Sequence, residues 1–202
     1  MIGFQASAQR KFEVWNKNQM GVQLSEKLLL KVSEKVHYRP KSNSLESYYG
    51  DLFLSGPINN WMDVRVGYRV VKSRTTDRSW RTEYRPMFRM DFVKKQKQFL
   101  LQTYSRMEYR MYKSIDDYWR YKQGLKLQSP KFTPWKLRLF TTEELFVKLN
   151  GDGTHMARFY GGIDSAVGTR SKISAFYLLQ KSKASGQWGN TDIVGMKLYI
   201  AI

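Results

Sequence analysis

The stretch Met62-Asp63-Val64-Arg65-Val66-Gly67-Tyr68-Arg69-Val70 separates into two sets. Met62, Val64, Val66, Tyr68 and Val70 are apolar, while Asp63, Arg65, Gly67 and Arg69 are charged or small. Successive side chains of an extended chain point to opposite faces, so these residues make a strand with one oily and one charged side. The next segment repeats the arrangement, with Trp80, Thr82, Tyr84, Pro86, Phe88, Met90 and Phe92 against Arg81, Glu83, Arg85, Met87, Arg89 and Asp91. Further on, Phe99, Leu101, Thr103, Met107, Tyr109 and Met111 alternate with Gln102, Tyr104, Arg106, Glu108 and Arg110. Trp119, Tyr121, Leu125 and Leu127 then alternate with Arg120, Lys122 and Lys126, and Trp135, Leu137 and Leu139 with Lys136 and Arg138.

Working outward from these, about eleven alternating segments cover the chain, near 12–24, 28–39, 44–55, 62–73, 80–92, 98–112, 118–128, 135–149, 156–165, 172–182 and 191–202. Turn chemistry separates them, as in Gly56-Pro57-Ile58-Asn59-Asn60, Ser129-Pro130, Asn150-Gly151-Asp152-Gly153 and Gly186-Gln187-Trp188-Gly189-Asn190. Apolar spacing at i, i+3, i+4 and i+7 is missing, so the fold class is all-β, in one domain.

Composition bounds the function. The 202 residues carry 35 Lys and Arg against 17 Asp and Glu, a net charge of +18, with 42% apolar and 15% aromatic residues. That is too much material for burial to leave the chain disordered. Cysteine is absent, which excludes disulfides, thiolate zinc sites and cysteine nucleophiles. Two histidines, His37 and His155, are too few for a histidine-rich metal site. Apolar runs such as Ala175–Leu179 fall far short of a membrane helix. The charge points to a polyanionic neighbour such as nucleic acid, anionic lipid or acidic polysaccharide, yet Lys and Arg are spread along the chain rather than gathered in one patch.

Two architectures fit the alternation: a soluble β module with its apolar face inward, or a transmembrane barrel with its apolar face outward. Three features favour the barrel. Several segments run to a dozen residues or more, beyond the five or so typical of soluble strands. Trp15, Tyr38, Trp61, Trp80, Tyr112, Tyr118, Trp119, Trp135 and Trp188 lie at segment ends, where amphipathic rings prefer a membrane interface. Val194, Met196, Leu198, Ile200 and Ile202 alternate with Gly195, Lys197, Tyr199 and Ala201 to the last residue. An apolar alternating terminus of that kind resembles an outer-membrane assembly signal, here carried by Gly195, Leu198, Ile200 and Ile202, with Ile202 in place of the usual Phe. At the other terminus, Ala6-Ser7-Ala8 has the form of a signal-peptidase site, so residues 1–8 read as a truncated leader and 9–202 as the barrel domain.

The order of motifs resembles the bacterial outer-membrane barrel family called domain of unknown function 2490. The likeness runs from Trp15 through Tyr48-Tyr49-Gly50-Asp51-Leu52, Gly67-Tyr68-Arg69, Arg106-Met107-Glu108-Tyr109-Arg110, Glu143-Glu144-Leu145-Phe146 with Asn150, and Arg158-Phe159-Tyr160-Gly161-Gly162. The family has no established catalytic activity, so the resemblance implies location and fold more than function. Bacterial barrels have even strand numbers, so about twelve strands (10–12) are expected in a single antiparallel up-and-down barrel, with an additional stretch near residues 3–12 or a split segment completing the count. Short connections after the first, third, fifth, seventh and ninth segments would face the periplasm.

In that barrel the lumen collects Arg65, Arg69, Arg81, Glu83, Arg85, Arg89, Arg106, Glu108, Arg110, Arg120, Lys122, Lys136 and Arg138. Buried charges must be paired or hydrated, so they form either a bracing ladder in a plugged scaffold or a narrow anion-preferring pore. Charge pairing between segments 80–92 and 98–112 predicts partner numbers summing to 189 or 193, because a sum of 191 sets Glu83 against Glu108 and Arg85 against Arg106. An enzyme is not expected: His37 shares its face with Lys35 and Arg39, and His155 sits beside Asp152 in a Gly-rich loop. Asn150-Gly151-Asp152-Gly153 offers one carboxylate, too few for a calcium site, and no cofactor signature is present. Expected partners are outer-membrane lipid, lipopolysaccharide and the assembly machinery, with no nucleic acid. The rival reading is a soluble basic all-β module binding nucleic acid or another polyanion through Arg and Lys with interleaved aromatics.

Overall fold

The computed structural model of the chain describes residues 10–113, 115–134, 136–151, 153–184 and 186–202. Its strands are β1 (Lys11–Ser25), β2 (Leu28–Arg39), β3 (Ser44–Asn59), β4 (Met62–Arg74), β5 (Trp80–Gln96), β6 (Phe99–Tyr112), β7 (Tyr118–Gln128), β8 (Arg138–Lys148), β9 (Gly153–Val167), β10 (Ser171–Ala184) and β11 (Gln187–Ala201). Each strand pairs with its sequence neighbours, and β1 closes on β11. The result is a closed barrel of eleven strands among the described residues, one short of the expected twelve.

Closure differs from the expectation for a geometric reason. With an odd number of strands joined by successive reversals, the last runs in the same direction as the first. Hence β1 and β11 pair in parallel, from Lys11 opposite Thr191 to Gly21 opposite Ala201, while every other pairing is antiparallel. Lys11 and Phe12, placed in the expected additional stretch, belong to β1 itself, and residues 1–9, with the leader expected there, lie outside the described residues.

Strand limits follow the alternation closely, with two departures. Strand β3 continues through Gly56 and Pro57, so the expected Gly56–Asn60 turn shrinks to 60–61, with a bulge between Pro57 and Asn59. Strand β8 starts at Arg138, leaving Lys136 in the preceding connection with φ 58°, away from the interior ladder. Connections at the end where the chain stops are 26–27, 60–61, 97–98, 129–137 and 168–170, so the seventh is long rather than short.

The apolar parity faces outward. Val66 is 52% exposed, Phe159 55% and Leu139 54%, whereas Asp91 and Glu108 are fully buried. The interior is not uniformly polar, however. Trp15, Phe140, Tyr160, Phe176, Leu178 and Ile193 form an apolar cluster on the β8–β11 and β1 side, and the Arg-rich wall belongs to β4–β7. Trp15 thus lies inside, as do Tyr112 and Tyr118, whose rings stack 6.2 Å apart close to Arg110, instead of belonging to an outer aromatic girdle. Trp61, Trp80, Trp119 and Trp188 do stand exposed near strand ends.

Candidate functional site: the charged interior

Period two alone carries the ladder inward, because on β4–β7 the odd positions of β4 and β5 and the even positions of β6 and β7 share the inner face. The β5–β6 register has a partner sum of 195, with Met87 opposite Glu108 and Arg89 opposite Arg106. Neither 189 nor 193 is adopted. Charge pairing does not set the register here, since much of it runs along the strand or diagonally. Arg85 chelates Glu83 two residues before it, Arg89 chelates Asp91 two residues after it at 2.5 and 2.8 Å, and Arg106 reaches Glu108 on its own strand. With each of these guanidinium groups paired to an acid on its own strand, like charges can stand abreast.

They do so in one row: Arg65, Arg89, Arg106 and Lys122 occupy successive strands directly opposite one another. Carboxylates above and below neutralise them. Asp91 takes both Arg65, at 2.9 Å, and Arg89. Glu108 lies between Arg106 and its cross-strand partner Arg120, and Glu144 accepts Lys122 at 2.6 Å. Elsewhere Glu83 binds Arg110 at 2.7 Å as well as Arg85, and Asp51 binds Arg69 through two oxygens at 2.5 and 2.7 Å. Arg81 lies 5.3 Å from the Tyr112 ring and Arg138 stands opposite Asp164. A buried ion pair is costly to desolvate and costlier to break, so such a ladder fixes the interior more than it adds net stability.

The acids that organise this interior were mostly outside the expected set. Asp51, Asp91, Glu144 and Asp164 were missed, although each falls on the inner parity of its strand. Glu144 is the busiest: Lys122 and both Tyr104 and Tyr160 donate to it, Tyr160 at 3.0 Å, and Arg158 lies 3.8 Å away. Gly124, directly opposite Tyr104, leaves room for that ring, because a Cβ at Gly124 would stand 2.2 Å from the phenol carbon.

The histidines are wall residues. His37 is buried and stacked on Trp15 at 3.8 Å, and His155 belongs to β9 beside a bulge rather than to a loop. Asp152 lies outside the described residues. Among the described residues no group of three His, Cys, Asp or Glu could hold a metal ion. The terminal strand divides the expected assembly signal between faces: Gly195 points inward beneath the Phe176 ring, Ile200 is exposed outside, and the Ile202 amide donates to the Gly21 carbonyl at 2.8 Å.

Toward the end where the chain stops, the interior opens into a cavity of about 490 Å³. Gln102, Tyr104, Phe140 and Glu144 form part of its wall, together with lysines from both sides of the β1–β11 seam. No curated protein matches the chain. The family model described as "Protein of unknown function (DUF2490)" matches residues 12–191, most of the length, and the chain belongs to that family.

Proposed function

We propose that the protein is an outer-membrane β-barrel whose charged interior braces the wall and closes it to free diffusion. The observation that carries this reading is inverted burial: large apolar side chains ring the outside while carboxylates and guanidinium groups are sequestered within. An apolar belt of that extent has no reason to face water, where soluble proteins expose only limited apolar patches. Strands of 11 to 17 residues reach the length a tilted membrane strand needs. The plugged form is favoured over an anion-preferring pore because the groups at mid-height, Glu108, Arg106, Arg120 and Lys122, are nearly inaccessible and bonded to one another or to Glu144.

Lipid and lipopolysaccharide then contact the outer face, and the assembly machinery receives β11. The test is fractionation of expressing cells, followed by denaturing electrophoresis of the extracted protein with and without heating. Recovery in the outer membrane with a heat-dependent mobility shift is the expected result. A freely soluble protein showing no shift would overturn the reading and bring salt-dependent polyanion binding forward.

A further inference from the structure

The interior holds a second row of cations with a different fate from the first. Lys197, Lys17 and Lys35 lie directly opposite one another on β11, β1 and β2, across the parallel seam. Like charges in direct cross-strand contact destabilise a sheet unless something neutralises them. Where Arg65, Arg89, Arg106 and Lys122 have Asp91, Glu108 and Glu144, this row has no carboxylate within ion-pair distance among the described residues. Asp51 is already committed to Arg69. Lys35 is accommodated over the Trp15 ring at 3.9 Å and Lys197 over Phe176 at 4.7 Å. Lys17 has neither an acid within ion-pair distance nor an aromatic ring beneath it among the described residues. Lys17 and Lys197 both line the cavity, together with Lys31, which likewise lacks an acid within ion-pair distance among the described residues.

Among the described residues the cavity is lined by seven basic residues and two carboxylates, a formal excess of five positive charges, or four once Asp91 is included. Its volume falls in the range that takes a small ligand. Lysines act as mobile point charges, the form in which lysine binds phosphate, and several of them in one chamber favour a multiply charged oxyanion over a singly charged carboxylate. We propose that this chamber binds a multiply charged anion of the phosphate or phosphate-ester class, held by Lys17, Lys31 and Lys197. It opens toward the end of the barrel where the chain stops, so the phosphate arrives either on a free solute or on a lipid headgroup reaching in from that rim. The proposal depends on the basic chamber and not on where the barrel resides.

The experiment uses the full chain refolded in a zwitterionic detergent and titrated calorimetrically with inorganic pyrophosphate, with a parallel arm in micelles doped with phosphatidic acid. Saturable binding of pyrophosphate, weakened about tenfold or more in Lys17→Gln/Lys197→Gln and kept in Lys17→Arg/Lys197→Arg, is expected for a free solute. The same pattern seen only with phosphatidic acid supports the site and assigns the phosphate to a headgroup. Lys183→Gln, at the opposite end of β10, serves as control. If the double variant does not fold, Lys197→Gln alone is read the same way. A second measurement follows from the repulsion: without anion, Lys17→Met should raise the unfolding midpoint. No binding in either arm, binding indifferent to the lysines, or a lowered midpoint in Lys17→Met would each overturn the proposal.

Discussion

Glu108 is the residue on which the interior turns. Arg106 precedes it by two positions on β6, Arg120 faces it from β7, and all three are buried. Replacing it with glutamine keeps an oxygen acceptor but leaves two guanidinium groups converging on no charge, and removing one partner of a buried pair costs about 3–5 kcal/mol. Glu108→Gln should therefore lower the urea midpoint of the refolded barrel markedly, and a further Arg106→Met change should restore part of the loss. An unchanged midpoint in the single variant would mean that water, and not Glu108, carries the guanidinium charges. The same local logic explains why Arg89 tolerates Arg106 as its direct neighbour, with Asp91 on one side and the Tyr104 ring 3.7 Å from its guanidinium.

Among the elements, the β1–β11 pairing is the one that makes the barrel closed. Asn16 and Met196 are direct partners there, on the outward parity, in a chain without native cysteine. Asn16→Cys/Met196→Cys should form a disulfide under oxidation, and the cross-linked chain should migrate as a compact species even after heating; no bridge would show that these strands are not neighbours. The strands themselves were legible in the sequence because alternation at period two survives wherever one face is apolar, as on β4 and β5. The seam was not, because pairing of the termini depends on the parity of the strand count, a property of the whole chain. Register was hidden too: Arg85 and Arg89 find acids on their own strand and Glu83 takes Arg110 diagonally, so charge matching between directly opposed residues did not select it. The seam lysines escaped because β1 places Asn16 and Asn18 on its outward parity, which blurs the contrast that identifies an inner face.

At the scale of the whole molecule, the barrel has a middle filled by ion pairs and a basic chamber toward the end where the chain stops. If the interior is closed as proposed, ions crossing it have to displace Arg106, Arg120 and Lys122 from their carboxylates, so reconstitution into planar bilayers should give no discrete conductance steps at neutral pH. Steady anion-selective steps would instead favour an open pore. The closure also has a kinetic meaning. Every pairing but one joins strands adjacent in sequence, which need only a short turn, whereas the seam unites residues near the two extremes of the chain. Loop-closure entropy rises with the length enclosed, and contacts distant in sequence form slowly. The hairpins can accumulate one after another as a widening open sheet, and the parallel ladder must form last. Until it does, Lys17 and Lys197 are far apart and their repulsion is unfelt, so an anion able to bridge them would act on the final, rate-setting step of folding rather than on the growth of the sheet.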